Sequence, residues 1–442
     1  MKHFFIPAIA ALFFISFAVR VAGLSAINQV VFDEVHFGKF VSSYCCTHER
    51  FFDIHPPVGK LLIAGGAYAL GYRGEFSFDS IGQHYTNTSI FGLRIVPALA
   101  GALLSIIIVV LLRQAGVSHL VSLLGGLAIA LDNALIVESR LIITDSILLS
   151  ATFGALAAAI ASTRTQKNAH AWLLAILSGV LAGVAVGTKF TGLVSGGLVF
   201  VVFAVHVLRT WPRGARVWML RLLAAILSGA SVYGIGWALH FSLLTMPGSG
   251  DAWGLPTGSF WTDVVHVHTQ MVSANYNLTA DHPYGSKWWT WPFMVRSVFY
   301  WQGDTNQFVY LLGNPLVWWG SFALFCFGLG TVFFRLARGL TDDLYALFSR
   351  GGWIFILGYL VSFIPLMRVP RVLFLYHYLT PLLCSLLFGA WWLDRAFPKK
   401  KIVGSVAALC IIVGFIVMSP ITYGFTLPQA WYDLLFSFTL WR

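Results

Sequence analysis

The sequence has few charged residues for its length. Only 10% of its 442 residues are Asp, Glu, Lys or Arg, whereas a soluble globular protein carries about a quarter. Hydrophobic residues make up 58% of the chain, and the mean hydropathy is +0.78. No segment with the composition of a soluble protein is long enough to form a separate soluble domain. The composition excludes a soluble protein and indicates a polytopic helical membrane protein.

Cysteines are also few, and internal repeats are missing. Cys45 and Cys46 are adjacent, and because a bond between neighbours is strained, we expect free thiols or partners elsewhere. The other three cysteines lie in apolar runs and are predicted to be small core residues. Secondary transporters commonly have repeated halves with ionisable groups at the membrane midplane. The absence of a repeat therefore argues against transport.

About eleven apolar runs are long enough to cross a bilayer. The first run follows a basic start but has no clear small-residue cleavage site, so we expect it to be retained as a span. The sequence predicts an all-α membrane protein with spans near 4–24, 93–112, 119–136, 141–161, 171–188, 190–208, 222–245, 309–334, 351–367, 372–393 and 402–422.

The net charge of +11 would by itself allow nucleic-acid binding. The basic residues, however, cluster in short loops that alternate with acid-rich loops, as the positive-inside rule expects. With Lys2 in the cytoplasm, every basic cluster falls on the cytoplasmic side and the C-terminus is external. The basicity is thus an orientation signal, and no nucleic-acid partner is predicted.

Two predicted external segments, 25–92 and 246–308, are too long to be simple connectors. In the first, "LLIAGGAYAL" (61–70) is too short to span and is predicted to be an interfacial or re-entrant helix. In the second, "HPYGSKWWTWP" (282–292) has the aromatic content of a segment at headgroup level. We expect one transmembrane catalytic domain over 1–442 that displays both segments.

The adjacent carboxylates of Asp33 and Glu34 stand out at the start of the first external segment. Acidic residues beside a span are costly unless they are paired or functional. They could simply favour a helix N-terminus, or one could act as a general base while a cation holds the other. The residues alone leave both alternatives open.

Seven stretches follow one another along nearly the whole chain: "DEVHFGKF…FFDIHPPVGKLL", "FGLRIVPALAGAL", "LDNALIVESRLIITDSILL", "GVAVGTKFTGL", "HPYGSKWWTWPFMVRSVFYW", "LLGNP" and "LFLYHYLTPLL". Together they resemble the protein O-mannosyltransferases, a family of lipid-phosphate-dependent glycosyltransferases with a GT-C-type fold. The second external segment has only some sixty residues, so the resemblance is to the short prokaryotic form, without the large soluble insert of eukaryotic members.

The resemblance implies an inverting transfer of mannose from polyprenyl phosphate mannose to Ser or Thr of exported polypeptides. The site would lie on the periplasmic or external face of the inner (plasma) membrane. Asp33 would be the catalytic base, and Glu34 would be held by a cation, for which Arg94 is the best candidate. An alternative keeps the donor class but transfers a sugar such as aminoarabinose to lipid A or another envelope glycan. Eukaryotic relatives pair into dimers, and a dimer stays open here.

The donor phosphate needs cations at the membrane surface. Lys189, which we expect to be an isolated charge, is the first candidate, with Arg371 and His377 as further ones. A monophosphate leaving group held by Lys and Arg does not require a divalent cation, so we predict neither a catalytic metal nor another cofactor.

The remaining candidates have supporting or acceptor roles. His55, before two prolines, is predicted either to shape the turn or to contact a substrate. Arg140 is expected in a supporting salt-bridge cluster with Asp132, Glu138 and Asp145. Residues predicted to bind the acceptor or the sugar are His282, Lys287 and Trp288.

Overall fold

The computed structural model describes residues 2–277, 281–349, 351–397, 400–437 and 441. It is mostly helical and divides into two compact units, of which the first comprises Met1–Arg20, Gly101–Val137 and Asp281–Arg442 and the second Val21–Ala100 and Glu138–Ala280. The helices are α1 (Lys2–Val21), α2 (Glu34–Ser42), α3 (Val58–Ala69), α4 (Ile90–Gln114), α5 (His119–Ala130), α6 (Asn133–Ser139), α7 (Asp145–Arg164), α8 (Asn168–Val186), α9 (Leu193–Thr210), α10 (Ala215–Leu243), α11 (Phe260–Asn277), α12 (Pro315–Ala337), α13 (Asp342–Ser349), α14 (Trp353–Phe363), α15 (Leu379–Ala396), α16 (Lys400–Tyr423) and α17 (Gln429–Leu435).

Eight helices of the described chain are long and apolar enough to cross a membrane, or up to nine if the bent pair α5–α6 is one span. The protein is thus a multi-pass membrane protein, as predicted. The count falls short of eleven because two predicted spans are not long apolar helices. Helix α14 has 11 residues and gives way to a 3₁₀ turn at Ile364–Arg368. Helix α15 ends in Asp394 and Arg395, which lowers its apolar content.

The bend between α5 and α6 measures 56° and lies in the first unit. Asp132 at the break accepts a hydrogen bond from the backbone N–H of Leu135 at 3.0 Å, which satisfies one orphan donor at the start of α6. It also accepts from Asn314 N at 3.1 Å and from Trp318 Nε1 at 2.9 Å. The predicted span 119–136 is therefore interrupted at Asp132, a buried carboxylate that accepts three hydrogen bonds.

A short antiparallel hairpin precedes α12 in the same unit. Its strands are β1 (Val298–Gln302) and β2 (Phe308–Leu311), which pair Val298 with Leu311 and Gln302 with Phe308. Helix α12 begins at Pro315, after Asn314 accepts from Leu316 N at 3.1 Å. The predicted span 309–334 thus starts six residues later than expected, because its first residues belong to a strand and a helix cap.

Close helix contacts build the second unit. An added Cβ at Gly179 would lie 2.0 Å from the Ala225 carbonyl oxygen, and one at Gly183 would lie 2.5 Å from that of Gly229. Only glycine lets the backbones of α8 and α10 approach this closely. This packing fixes the C-terminal end of α8, where the turn that carries Lys189 begins.

The segment 25–92 contains α2, a π turn at Ser43–Thr47 and α3. The predicted short helix near 61–70 is confirmed as α3, which follows the two prolines directly. The expectation for Cys45 and Cys46 is wrong, because a disulfide joins them. Both lie in the π turn, where the backbone departs from regular α-helical geometry and lets neighbouring side chains meet.

Candidate functional site

The Glu34 carboxylate is buried and saturated with hydrogen bonds in the second unit. Glu34 and Arg94 are 0% and 1% exposed and form a two-point pair, with Nε–Oε1 and Nη2–Oε2 distances of 2.7 Å. Three further donors reach the same carboxylate: Val31 N at 3.0 Å, Ile142 N at 3.0 Å and Tyr85 Oη at 3.2 Å. The predicted pairing of Glu34 with Arg94 is confirmed.

Arg94 also anchors the chain between α1 and α2. It donates to the carbonyl oxygens of Leu24, Ile27 and Gln29 at distances of 3.0, 3.0 and 3.2 Å. One guanidinium therefore holds both the Glu34 side chain and the loop that leads to it. Arg94 is not snorkelling to the membrane surface, because its charge is buried and paired.

Asp33 has a different environment from its neighbour. It is half-buried, stands just before α2, and makes no capping hydrogen bond with its side chain. Burial raises the pKa of Asp33 to about 6; Lys189 lowers it, while Asp145 and Asp53 add to the rise. Asp33 thus combines a partly accessible carboxylate with a basicity above that of an ordinary aspartate.

Lys189 is not the isolated charge that the sequence suggested. Its Nζ lies 2.6 Å from Asp145 Oδ2, and both side chains are 12% exposed. Burial opposes the charge on Lys189, but Asp145 outweighs it, so the pKa of Lys189 is raised. The expectation failed because the partner is 44 residues away and only folding brings the end of α8 to the start of α7.

A second buried lysine lies at the start of α3. Lys60 pairs with Asp53 and donates to the His55 carbonyl oxygen at 2.7 Å. Burial disfavours the Asp53 carboxylate, but Lys60 and His55 hold its pKa below the ordinary value. His55 thus shapes the turn through its backbone, one of its two predicted roles. Sequence reasoning missed this pair, although Asp53 and Lys60 flank the two prolines.

Two hydrogen bonds connect segments of the second unit near the acidic pair. Val58 N donates to Gly187 O at 2.7 Å, which joins the start of α3 to the turn carrying Lys189. The hydrogen bond from Ile142 places the segment before α7 beside Glu34. The predicted residues Asp33, Glu34, Arg94, His55 and Lys189 therefore belong to one structural unit.

Two members of the predicted salt-bridge cluster, Asp132 and Asp145, have partners other than Arg140. Arg140 is buried and donates to the carbonyl oxygens of Ala22 and Gly23 at 2.7 and 2.8 Å. Asp145 pairs with Lys189, whereas Asp132 caps α6 in the first unit. Glu138 is close enough to Lys189 to favour its charge.

The other predicted site residues lie in the first unit. His282 packs edge-to-face on Phe374 with ring centroids 5.0 Å apart, and His377 stacks on Trp291 at 6.0 Å. Ser286 N donates to Leu373 O at 2.9 Å, so the segment of His282 runs beside the segment of Arg371 and His377. Two further candidates, Lys287 and Trp288, flank this contact. Lys287 is exposed, and Trp288 packs on Phe363.

Within the described ranges, His, Cys, Asp and Glu side chains do not gather in groups of three or more that could hold a metal ion. The charged groups around Asp33 are instead lysine–aspartate pairs. This arrangement suits proton transfer and stabilisation of a leaving anion.

Comparison with known proteins gives matches over nearly the whole chain. Residues 10–245 match the family model of the dolichyl-phosphate-mannose-protein mannosyltransferases. Residues 260–441 match the C-terminal four-transmembrane region of protein O-mannosyltransferase. Protein O-mannosyltransferase 1 of Drosophila melanogaster is 34% identical over 250 residues, which are 54% of this chain and 28% of the relative. The chain therefore matches less than a third of that relative's length.

Two solved structures share the fold. The Saccharomyces cerevisiae protein O-mannosyltransferase Pmt1–Pmt2 complex bound to the sugar donor has a TM-score of 0.91 at 20% identity, covering 100% of this chain and 93% of that one. ArnT from Cupriavidus metallidurans has a TM-score of 0.54 at 17% identity, covering 95% and 64%. These likenesses confirm the predicted GT-C-type fold. Because the first family match covers more than half of the chain, the protein belongs to the dolichyl-phosphate-mannose–protein mannosyltransferase family.

Proposed function

We propose that the protein transfers mannose from polyprenyl phosphate mannose to Ser or Thr hydroxyls of exported polypeptides, with inversion at the anomeric carbon. The observation that carries this proposal is the contrast between two adjacent carboxylates. Glu34 accepts five hydrogen bonds and has no capacity left for a proton from a substrate. Asp33 is half-buried, unsaturated and more basic than usual.

The reaction is a single displacement in this proposal. Asp33 accepts the proton of the acceptor hydroxyl while its oxygen forms a bond to the anomeric carbon. The bond from that carbon to the phosphate oxygen breaks, and the phosphate leaves with the electron pair. Attack opposite the leaving group inverts the configuration, and the unchanged Glu34–Arg94 pair keeps α2 in place.

The leaving phosphate requires a cation, and Lys189 is the one beside Asp33. Because Lys189 is paired with Asp145, we propose that the donor phosphate competes with Asp145 for Lys189. Arg371 and His377 remain predicted phosphate contacts. One phosphate carries less charge than a pyrophosphate, so we propose that transfer proceeds without a divalent cation or other cofactor.

We propose that His282, Lys287 and Trp288 bind the acceptor or its sugar. Exposed His282 and Lys287 offer hydrogen-bond donors, and the Trp288 ring offers an apolar face. We also propose that the 25–92 segment lies on the external face of the inner (plasma) membrane. The short basic loops, which favour a cytoplasmic N-terminus, support this proposal.

The acceptor class can be tested with purified protein in nanodiscs. With polyprenyl phosphate mannose labelled in the sugar, we expect label in a Ser/Thr-containing peptide and none in the same peptide with Ala at those positions. Nuclear magnetic resonance of the product should show the anomeric configuration opposite to that of the donor. Label that enters lipid A and leaves the peptide unlabelled would favour the envelope-glycan alternative.

The acid limb of the pH–rate profile should respond to the charges around Asp33. Because the base must be ionised, kcat at saturating donor should fall as the pH drops through about 6. Lys189→Met removes a cation that lowers the pKa of Asp33 and should move the limb to higher pH. Asp145→Asn removes an anion that raises this pKa and should move the limb to lower pH.

The control for this pair is Asp79→Asn, because Asp79 is exposed and is not among the charges that act on Asp33. Its profile should match that of the unmodified protein. Shifts in the same direction for Lys189→Met and Asp145→Asn would contradict Asp33 as the titrating base.

A further inference from the structure

The second unit buries one arginine without a counter-ion. Arg221, near the start of α10, is 7% exposed and forms no ion pair within the described residues. Its guanidinium donates to Ser162 O and Asn168 Oδ1, both at 3.3 Å, which is long for an N–H···O hydrogen bond. Its buried Nε–H has no acceptor within the described chain. Because a buried charge without an anion is unfavourable, an anionic ligand at this position would stabilise the protein.

The helices around Arg221 cannot supply that anion themselves. Residues 146–250, which include α8, α9, α10 and all of α7 after its first residue, contain no Asp or Glu. The first residue of α7, Asp145, lies at the other end of that helix and is paired with Lys189. A counter-ion for Arg221 therefore has to come from outside these four helices.

Further cations lie near Arg221. Arg164 and Arg209 are close enough to His206 to act on its charge. The His206 ring lies 4.8 Å from the Trp218 ring, and the Trp218 ring centroid lies 4.7 Å from Arg221 Cζ. Contact with an aromatic face stabilises a guanidinium only in part, because the ring carries no net charge. We call these four residues the basic cluster: Arg164, His206, Arg209 and Arg221.

Apolar side chains at the surface flank the basic cluster. Trp172 of α8 has its ring centroid 5.9 Å from Arg221 Cζ and is followed by Leu173, which is 64% exposed. On α10, Leu220 and Leu223 are 43% and 48% exposed. In a membrane protein such side chains face acyl chains. A ligand with a phosphate beside apolar chains, such as a phospholipid, matches both the cation and this surface.

The positive-inside rule does not account for the burial of Arg221. It accounts for exposed arginines such as Arg213 and Arg216, which water can solvate and which orient the chain. Arg221 is folded away from water, where its charge needs a partner. The predicted topology places this end of α8 and α10 at the cytoplasmic leaflet, where basic pockets between helices bind anionic head groups.

We propose that the basic cluster binds the phosphate of an anionic phospholipid head group. A phosphate oxygen takes the place of the Asn168 amide at the guanidinium, since Asn168 is exposed and its hydrogen bond is long. An anionic lipid is preferred to a zwitterionic one, because a cationic head group would meet a cluster without acids. Lys189 follows the other end of α8, so this lipid site is separate from the site of the proposed reaction.

The test uses delipidated protein in detergent with phosphatidylglycerol, phosphatidylethanolamine or inorganic phosphate at equal concentration. Native mass spectrometry and thermal unfolding should show that phosphatidylglycerol binds and raises the melting temperature, and that the other two do not. Arg221→Gln should weaken phosphatidylglycerol binding by about 10–100-fold, the range that a hydrogen bond to a charged group contributes. Arg209→Gln changes an exposed member of the cluster and should weaken binding by about fivefold.

Arg338→Gln is the matched control, because it removes the same charge from an exposed arginine of the first unit and should leave phosphatidylglycerol binding unchanged. Without lipid, Arg221→Gln removes a buried charge that has no counter-ion, so its melting temperature should be equal to or above that of the unmodified protein. With phosphatidylglycerol, the variant should melt at a lower temperature than the unmodified protein.

Four outcomes would overturn the inference. Equal stabilisation by inorganic phosphate would identify an anion site that is not a lipid site. Equal binding of phosphatidylethanolamine would exclude selection for anionic lipid. Equal losses of affinity in Arg221→Gln and Arg338→Gln would mean that lipid responds only to total surface charge. A lower melting temperature of Arg221→Gln both with and without lipid, at unchanged phosphatidylglycerol affinity, would mean that Arg221 serves only the fold.

Discussion

Asp33→Asn is expected to lower kcat for mannose transfer by about 10²–10⁴-fold, the range that a positioned general base contributes. The acceptor hydroxyl is a poor nucleophile, and within the described part of the second unit Asp33 is the half-buried carboxylate left without a cation or hydrogen-bond partner. Glu34 cannot replace it, because its oxygens already accept five hydrogen bonds. The affinity for polyprenyl phosphate mannose should change little.

The stability of this variant separates loss of a base from loss of fold. Because burial raises the pKa of Asp33 from 3.8 to about 6, ionisation of this group destabilises the folded state; the destabilisation builds up as the pH rises from 3.8 to about 6 and is fully present above that pH. Replacing it by neutral Asn should therefore leave the melting temperature unchanged or higher at neutral pH. A variant that folds, binds donor and transfers mannose at close to the original rate would exclude Asp33 as the base.

Glu34→Gln should have the largest effect on stability. It leaves the Arg94 guanidinium buried without a counter-ion, and breaking a buried pair in this way costs about 3–5 kcal/mol. Because Arg94 also holds three backbone carbonyls before α2, the loop around Asp33 should loosen and activity should fall with stability. Thermal unfolding in detergent, followed with and without donor, measures both effects.

Two further variants test whether the loss of stability in Glu34→Gln comes from leaving a buried charge unpaired. Glu34→Gln/Arg94→Met removes both charges and should lose less stability than the sum of the single changes, because no buried charge remains unpaired. Arg50→Ala breaks a more exposed pair, which solvent screens, and should change the melting temperature far less than Glu34→Gln does. Equal losses in Arg50→Ala and Glu34→Gln would contradict the assigned role of burial.

Some features of the fold follow from local sequence. The long apolar runs near 93–112 and 402–422 predict α4 and α16, because a stretch of that length and composition is stable as a membrane-spanning helix. Other features depend on distant partners. Helix α5 ends at Ala130 because Asp132 finds donors on Asn314 and Trp318, which are more than 180 residues away. Hydropathy does not register that interaction, so the apolar run 119–136 does not reveal the break at Asp132.

Pairing of charges was predictable only in part. An arginine in an apolar helix needs an acidic partner, and the sequence has few acidic residues. The pairing of Glu34 with Arg94 could therefore be predicted. The sequence did not reveal the partner of Lys189. That partner is Asp145 at the start of α7, which the sequence analysis assigns to the cluster around Arg140.

The sequence by itself determined that the chain is a membrane protein, where most of its spans lie and that an acidic pair follows the first one. Composition and run length decide these features, because hydrocarbon accepts apolar helices and few charges. Only the tertiary structure decided which carboxylate of the acidic pair is saturated with hydrogen bonds. Asp33 and Glu34 are neighbours with equal charge, and they differ because folding aims Arg94, Tyr85 and two backbone N–H groups at one and leaves the other half-buried.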